Sequence, residues 1–210
     1  MAKIDITPEH ASEPFVALKP PAGPEAFEHM QFRQGEFWRS IPAYKDVDQT
    51  TFLNWIWQGQ KSVKSPEELM ATIQGLVKPD FFEDVREGFH RAPMQVRISP
   101  YMIASIDWNN PYNDPVRTQF LPLASRLLPD HPRLSLDSLH ELADSPVPGL
   151  THRYVDKALF LPLNTCPVYC RFCTRSYAIG GDTETVEKAQ LATDPKLWDR
   201  AFEYIASRPE

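Results

Sequence analysis

Proline occupies one position in ten of this chain, 21 of 210 residues, against roughly 5% in ordinary usage. It has no backbone N–H and a fixed φ, so it can open a helix or finish a strand but is poorly tolerated inside either. Long unbroken elements are therefore excluded, and the prolines mark where short ones start and stop. Pro8, Pro14, Pro20, Pro21 and Pro24 fall among Ala, Glu and Gly. That stretch has little periodic apolar surface, so residues 1–26 read as an extended, mobile arm.

Residues 27–150 read as a helical domain with short connections. Phe52, Leu53, Trp55, Ile56 and Trp57 mark one aromatic-rich helix whose rings belong to a core rather than to a cofactor. The next helix has a start signal: Ser65 as N-cap, Pro66 at the first helical position and Glu68 completing a capping box. Leu69, Ile73 and Leu76 follow at helical spacing. A further short helix is expected over Leu136 to Leu142. Then SPVPG, Ser145 to Gly149, enforces an extended linker.

Residues 151–210 change character. ALFLPLN, Ala158 to Asn164, reads as a buried strand, with Pro162 marking its finish. A loop follows, and Asp194 and Pro195 open a helix carrying Leu197, Trp198, Ala201, Phe202 and Ile205. Strand, long loop and helix make one β/α unit, so the fold class is α/β. One unit cannot cover its own apolar faces. Pro209 and Glu210 stand where a second parallel strand should follow, and a piece of a longer protein is the expectation.

The formal charge is −6, with no Lys/Arg run, so no nucleic-acid partner is expected. Apolar runs such as Ala158 to Leu161 are too short to span a bilayer. No signal peptide opens the chain, so the cytoplasm is the expected location and no membrane partner is implied. Hydrophobic residues at 42% suffice for a core.

All three cysteines lie in NTCPVYCRFCTRSY, Asn164 to Tyr177. An odd count argues against a disulfide framework. Cys166, Cys170 and Cys173 form C-x3-C-x2-C. A structural zinc needs a fourth ligand, for which His152 is the nearest candidate. His10, His29, His90, His131 and His140 have no metal-ligand spacing. A redox dithiol would use Cys170 and Cys173 and leave Cys166 unexplained. A [4Fe–4S] cluster uses all three thiolates and leaves one iron without a protein ligand.

The cysteine spacing, the strand before it and the helix after it resemble the radical S-adenosylmethionine enzymes. SPVPGLTHRY (Ser145 to Tyr154), YCRFCTR (Tyr169 to Arg175), NDPVRTQFLP (Asn113 to Pro122), and the region of Trp55, Trp57, Gln58 and SPEEL narrow this to the lysine 2,3-aminomutase family. The resemblance covers roughly residues 30–210. It implies that the helical region leads into the first β/α unit of a partial (β/α) barrel. The implied cofactors are the [4Fe–4S] cluster, S-adenosyl-L-methionine at its open iron and pyridoxal 5′-phosphate, with zinc also possible in the longer parent. The implied activity moves the α-amino group of an amino acid, lysine before glutamate or arginine, to the β-carbon. The partners are that small-molecule substrate, a reducing electron donor and further copies of the longer chain. The length of the helical region argues against the related enzyme that serves translation-factor modification. A non-catalytic iron–sulfur or zinc module is the alternative from another class.

By the same resemblance, Phe172 packs near the adenine of S-adenosylmethionine and Arg175 pairs with the substrate carboxylate. Arg153 and Tyr154 reach the phosphate of pyridoxal phosphate. The chain departs from the family at Lys157, where arginine is common, and at Ser176 and Tyr177, which replace two arginines of the lysine enzymes. Phe172 likewise replaces a histidine. Gly180 and Gly181 are not the glycine pair that binds the sulfonium cofactor's amino group; they read as a flexible turn. The pyridoxal-phosphate lysine is expected beyond Glu210, and the 210 residues alone are expected to lack mutase activity.

Overall fold

The computed structural model describes residues 33–189, 191 and 195–209. The expected arm at 1–26, the start of the helical region at Phe27, the helix-opening Asp194 and the terminal Glu210 lie outside the described residues. Of the seven α-helices among them, five begin on a proline: α3 (Pro66–Thr72), α4 (Pro79–Arg91), α5 (Pro100–Ser105), α6 (Pro115–Phe120) and α7 (Pro195–Ala206). The other two are α1 (Gln49–Phe52) and α2 (Trp55–Gln60). Proline at the first position is pre-set in φ and lacks an N–H that would go unbonded there. It also bars the helix from extending backwards, which is why most of these helices are short.

Side chains complete the starts. Ser65 Oγ accepts from Glu68 N at 3.2 Å, while the Glu68 carboxylate accepts from Lys64 N at 2.6 Å. The reciprocal box is thus closed one residue earlier than its usual form. Leu69 and Ile73 behind it are fully buried. The aromatic run 52–57 is two helices, not the single one expected. Asn54 Oδ1 accepts from both Ile56 N and Trp57 N and restarts the chain as a new N-cap. Phe52 enters the core, but Trp55 is 80% exposed, so the core assignment fails for that ring.

The core is aromatic. Trp38 stacks on Phe52 with centroids 4.3 Å apart, and Phe81 meets Trp108 and Tyr112 edge-on. Ile41, Leu69, Ile73, Val85, Ile98, Ile103, Leu121 and Leu123 fill the space around them at essentially zero exposure. NDPVRTQFLP is a structural device within this core. Asp114 caps α6 through Arg117 N at 2.7 Å and also accepts from Asp107 N. The Arg117 side chain, 2% exposed, donates to the carbonyls of Pro111, Tyr112 and Leu121. Burial, followed by the nearby Arg171 guanidinium, pulls its pKa below the ordinary value.

Two expectations are corrected beyond the core. Leu136 to Leu142 form turns, not a helix. Asp137 accepts from Glu141 N and Leu142 N, both at 2.9 Å, and His140 has a φ of 53°. The apolar run after the linker is not a buried strand over 158–164. It supplies β2 (Lys157–Phe160), paired antiparallel with β1 (Leu150–Tyr154) in the register Leu150 with Phe160 and Thr151 with Leu159. Both strands are largely open to solvent, and only Leu150 is buried. With one partner strand and one covering helix, β2 lacks the two-sided cover a buried strand needs. Phe160 packs against Trp198 and Phe202 of α7, and His152 Nδ1 lies 2.9 Å from the Tyr204 hydroxyl. Among the described residues, no helix is long and apolar enough to cross a membrane.

Gly88, within α4, shows how close the layers approach. A Cβ there would stand 2.5 Å from the Pro122 carbonyl oxygen and 2.8 Å from its carbon. In an open helix Gly→Ala stabilises by about 1 kcal/mol. Here the obstacle is backbone, so overpacking wins. Gly88→Ala should lower unfolding stability by about 1–3 kcal/mol in a denaturant titration; an unchanged or higher midpoint would contradict this packing.

Candidate functional site

From Leu161 to Ala189 the chain has turns and bends but no helix or strand. It is fixed by bonds to the helical part. Arg171 N donates to the Gln119 carbonyl at 2.8 Å, at the end of α6. Gly181 N donates to Gln95 Oε1 at 3.1 Å, and Gly180 N closes the loop on its own Asn164 carbonyl at 2.7 Å. Gly180 has a φ of +85°, and a Cβ there would meet Tyr169 and Gln95 at 3.3–3.4 Å. The glycine pair is therefore a turn, as expected, tied to Asn164 and Gln95. Lys188, 6% exposed, joins the Pro93 and Ser176 carbonyls through its ammonium. Burial lowers its pKa, while the nearby Cys173 and Asp182 oppose that.

Tyr169 is the loop's internal anchor. It is buried with Met94 and Ile179, and the Arg97 guanidinium lies 5.8 Å from its ring centroid. Cys166 and Cys173 pack on this small cluster, whereas Cys170 packs on the main core. All three are free thiols of intermediate exposure. Cys166 Sγ contacts the Val168 carbonyl at 3.1 Å and accepts from Val168 N at 3.4 Å. Among the described residues, no three His, Cys, Asp or Glu side chains are grouped closely enough to hold a metal ion. One loop carries the thiols, then, but their sulfurs face two apolar surfaces. His152, the candidate fourth zinc ligand, contacts Tyr204 instead.

The remaining expected residues are spread around the loop. Phe172 is 68% exposed. Arg175 is engaged: its Nη2 donates to Glu141 Oε1 at 2.8 Å, and its Nε is buried without a hydrogen-bond partner. Glu141, 5% exposed, accepts from the buried Tyr177 hydroxyl through Oε2 at 2.9 Å. Arg153 is held by Asp144, Nε to Oδ2 at 2.6 Å, and by the Leu139 carbonyl. The hydrogen bond to Asp144 raises its pKa. Tyr154 is exposed, with the Lys157 ammonium 5.7 Å from its ring centroid. Sequence reasoning missed Glu141, Lys188 and Gln95. Glu141 stands between Asp137 and Asp144 in the sequence, so no local signal singles it out.

The fold and the loop together define an α/β chain that carries three reduced cysteines behind a small hairpin. No family model matches it. It is 37% identical over 179 residues to the L-lysine 2,3-aminomutase of Bacillus subtilis, an alignment covering 85% of this chain and 35% of that protein. The enzyme of the same name from Acetoanaerobium sticklandii is 39% identical over 80% of the chain and 37% of its own length. That from Clostridium subterminale is 37% identical over 82% and 38%. The chain belongs to the lysine 2,3-aminomutase family, and it spans a little over a third of the length of these relatives.

The Tyr177–Glu141 bond makes a prediction about pH. Burial raises the phenol's pKa, and the hydrogen bond to Glu141 adds to it; burial acts likewise on Tyr44. A raised pKa means the stabilisation is full below the unfolded value of 10.0 and is lost as pH rises further, because the unfolded phenol ionises first. Tyr177→Phe should cost about 1–3 kcal/mol at pH 7, and its melting temperature should fall less steeply above pH 10 than that of the unaltered protein. Parallel pH curves would show that the bond is absent in solution.

Proposed function

We propose that this chain supplies the cysteine-bearing part of a radical S-adenosylmethionine, pyridoxal-phosphate-dependent amino acid 2,3-aminomutase, with lysine as the substrate. The supporting observation is the shared sequence. Relatives named L-lysine 2,3-aminomutase align at 34–39% identity across about 80% of the chain. The donor set suits the cluster in ligand type: three free, half-buried thiols lie within eight residues on one loop, and thiolates are the protein ligands of iron–sulfur clusters. Their sulfurs, which here face two apolar surfaces, would turn toward one another to bind the cluster. Cys166, Cys170 and Cys173 would hold it. When bound, the cluster and S-adenosylmethionine supply a carbon radical for hydrogen abstraction, and pyridoxal phosphate supplies the delocalisation that lets nitrogen migrate.

In this reading the chain's own residues bind and orient. Arg175 offers a planar guanidinium to the substrate carboxylate; in this structure its Nη2 is held by Glu141. Phe172, exposed beside Cys173, provides a face for an adenine ring. Arg153 is committed to Asp144 and steadies β1, so the phosphate contact falls mainly to the exposed Tyr154. The hairpin and α7 would begin a partial (β/α) barrel with β2 as its first strand, which puts the cysteine loop at a strand's carboxyl end, where such barrels place their chemistry. The rest of the site, the electron donor's docking face and any assembly of copies belong to the whole protein. The 210 residues alone are expected to hold a cluster and not to turn over.

Anaerobic reconstitution tests this. The chain should take up about four irons with sulfide and give a paramagnetic signal after dithionite that shifts when S-adenosylmethionine is added. Cys166→Ala, Cys170→Ala and Cys173→Ala should each abolish that signal. Stoichiometric zinc in place of iron, or a signal surviving in any of the three variants, would overturn the ligand assignment.

A further inference from the structure

Three cations stand on or beside the cysteine loop, and they differ in what balances them. Arg175 meets the Glu141 carboxylate at 2.8 Å. Arg171, between Cys170 and Phe172, is exposed to water, which screens its charge. Lys188 has neither relief. It is 6% exposed, and its ammonium donates to two neutral groups, the Pro93 and Ser176 carbonyls. Among the described residues no carboxylate forms an ion pair with it. Asp182 accepts from its backbone N–H at 2.8 Å instead. Taking an ammonium out of water is expensive when only dipoles receive it.

Both of its partners lie at the Cys173 end of the loop. Ser176 N donates to the Cys173 carbonyl at 3.2 Å, so Ser176 closes the turn that Cys173 opens. Pro93 adjoins Met94, a member of the small cluster on which Cys173 packs. Charge links the two side chains as well, since Cys173 is one of the groups that oppose the fall in the ammonium's pKa.

We infer that Lys188 is a built-in counter-charge for the iron–sulfur cluster, a buried cation stapled beside Cys173 that favours the cluster's reduced state. This rests on the reading of the three cysteines as cluster ligands. With three thiolate ligands the oxidised cluster already bears net negative charge, and uptake of one electron from a low-potential reductant makes it more negative. A fixed cation in a poorly screened place stabilises the product of that step more than its starting state. Were the two hydrogen bonds only a fastening for the loop, the charge itself would not matter.

The experiment follows the cluster's paramagnetic signal through a mediated dithionite titration of the anaerobically reconstituted chain. Lys188→Gln keeps an amide donor for a carbonyl and deletes the charge. It should lower the reduced-to-oxidised ratio at a given potential about tenfold, a shift of about 59 mV to lower potential, with iron content unchanged. Lys188→Arg, which keeps the charge, and Lys45→Gln, which deletes an exposed one, should stay within about twofold of the unaltered protein. If the unaltered chain forms no cluster, the ligand reading falls and this inference with it. If the cluster forms and Lys188→Gln leaves the potential unmoved, or Lys45→Gln shifts it as far, the counter-charge alone is overturned. Should Lys188→Gln lose the cluster, Lys188→Arg decides: a cluster kept there supports the charge, and one lost there shows that the residue acts through packing and overturns the inference.

Discussion

A stretch of chain with no ladder of its own keeps one shape only if something else takes up its backbone polar groups. That requirement governs this molecule from Leu161 to Ala189. The helical part meets it at separate points: the Gln119 carbonyl for Arg171 N, the Gln95 amide oxygen for Gly181 N, and the Pro93 carbonyl for the Lys188 ammonium. Each acceptor sits where a helix or extended segment ends, so the aromatic core that fixes those ends also fixes the thiol-bearing loop. The loop returns some of this support through Tyr169 and Ile179, through Tyr177 and Ala178, which are also buried, and through Cys170, which packs on the main core.

Charge is distributed by the same logic. The buried or half-buried cations around the loop each have a specific acceptor: carbonyls for Lys188 and Arg117, carboxylates for Arg175 and Arg153. Two of the arginines that resemblance assigns to ligands therefore already have partners within the chain. They differ in what remains. Arg153 is partly exposed, and its ion pair is of the surface kind, which contributes little to stability. Arg175 faces a carboxylate only 6% exposed, and its buried Nε is left without a partner.

Local chemistry was the legible part of the sequence. Ser65 and Pro66 announced α3, Pro195 announced α7, and the cysteine run announced its loop, because caps, prolines and spacing act over a few residues. The misreadings came where a side chain competed with periodicity. Asn54 bonds two backbone amides ahead of it and splits one apparent helix into two. Leu136, Leu139 and Leu142 repeat at helical intervals, yet Asp137 draws the Glu141 and Leu142 amides into a turn. Partial exposure of all three leucines fits that outcome. The strand was found a few residues late, its antiparallel partner not at all, since THRY carries no apolar alternation to mark it. Glu141 was illegible because its partners lie 34 and 36 residues away, and separation of that kind leaves no local trace. The family resemblance, by contrast, rested on short contiguous motifs, which is why it could be read without a structure.

The hairpin has a practical consequence. Among the described residues β1 and β2 form a sheet of two strands. The outer amides of Leu150 and His152 on β1 are taken by the Val147 and Asp144 carbonyls, so the outer edge of β2 is the one left for an approaching strand. Such rims template sheet growth between molecules, and a two-stranded ladder standing alone is only marginally stable. Asp156 and Lys157, charged at the turn, offer some protection at one end, while Val155 beside them is 77% exposed. Strand addition, where it occurs, would therefore use the outer rim of β2 rather than that of β1.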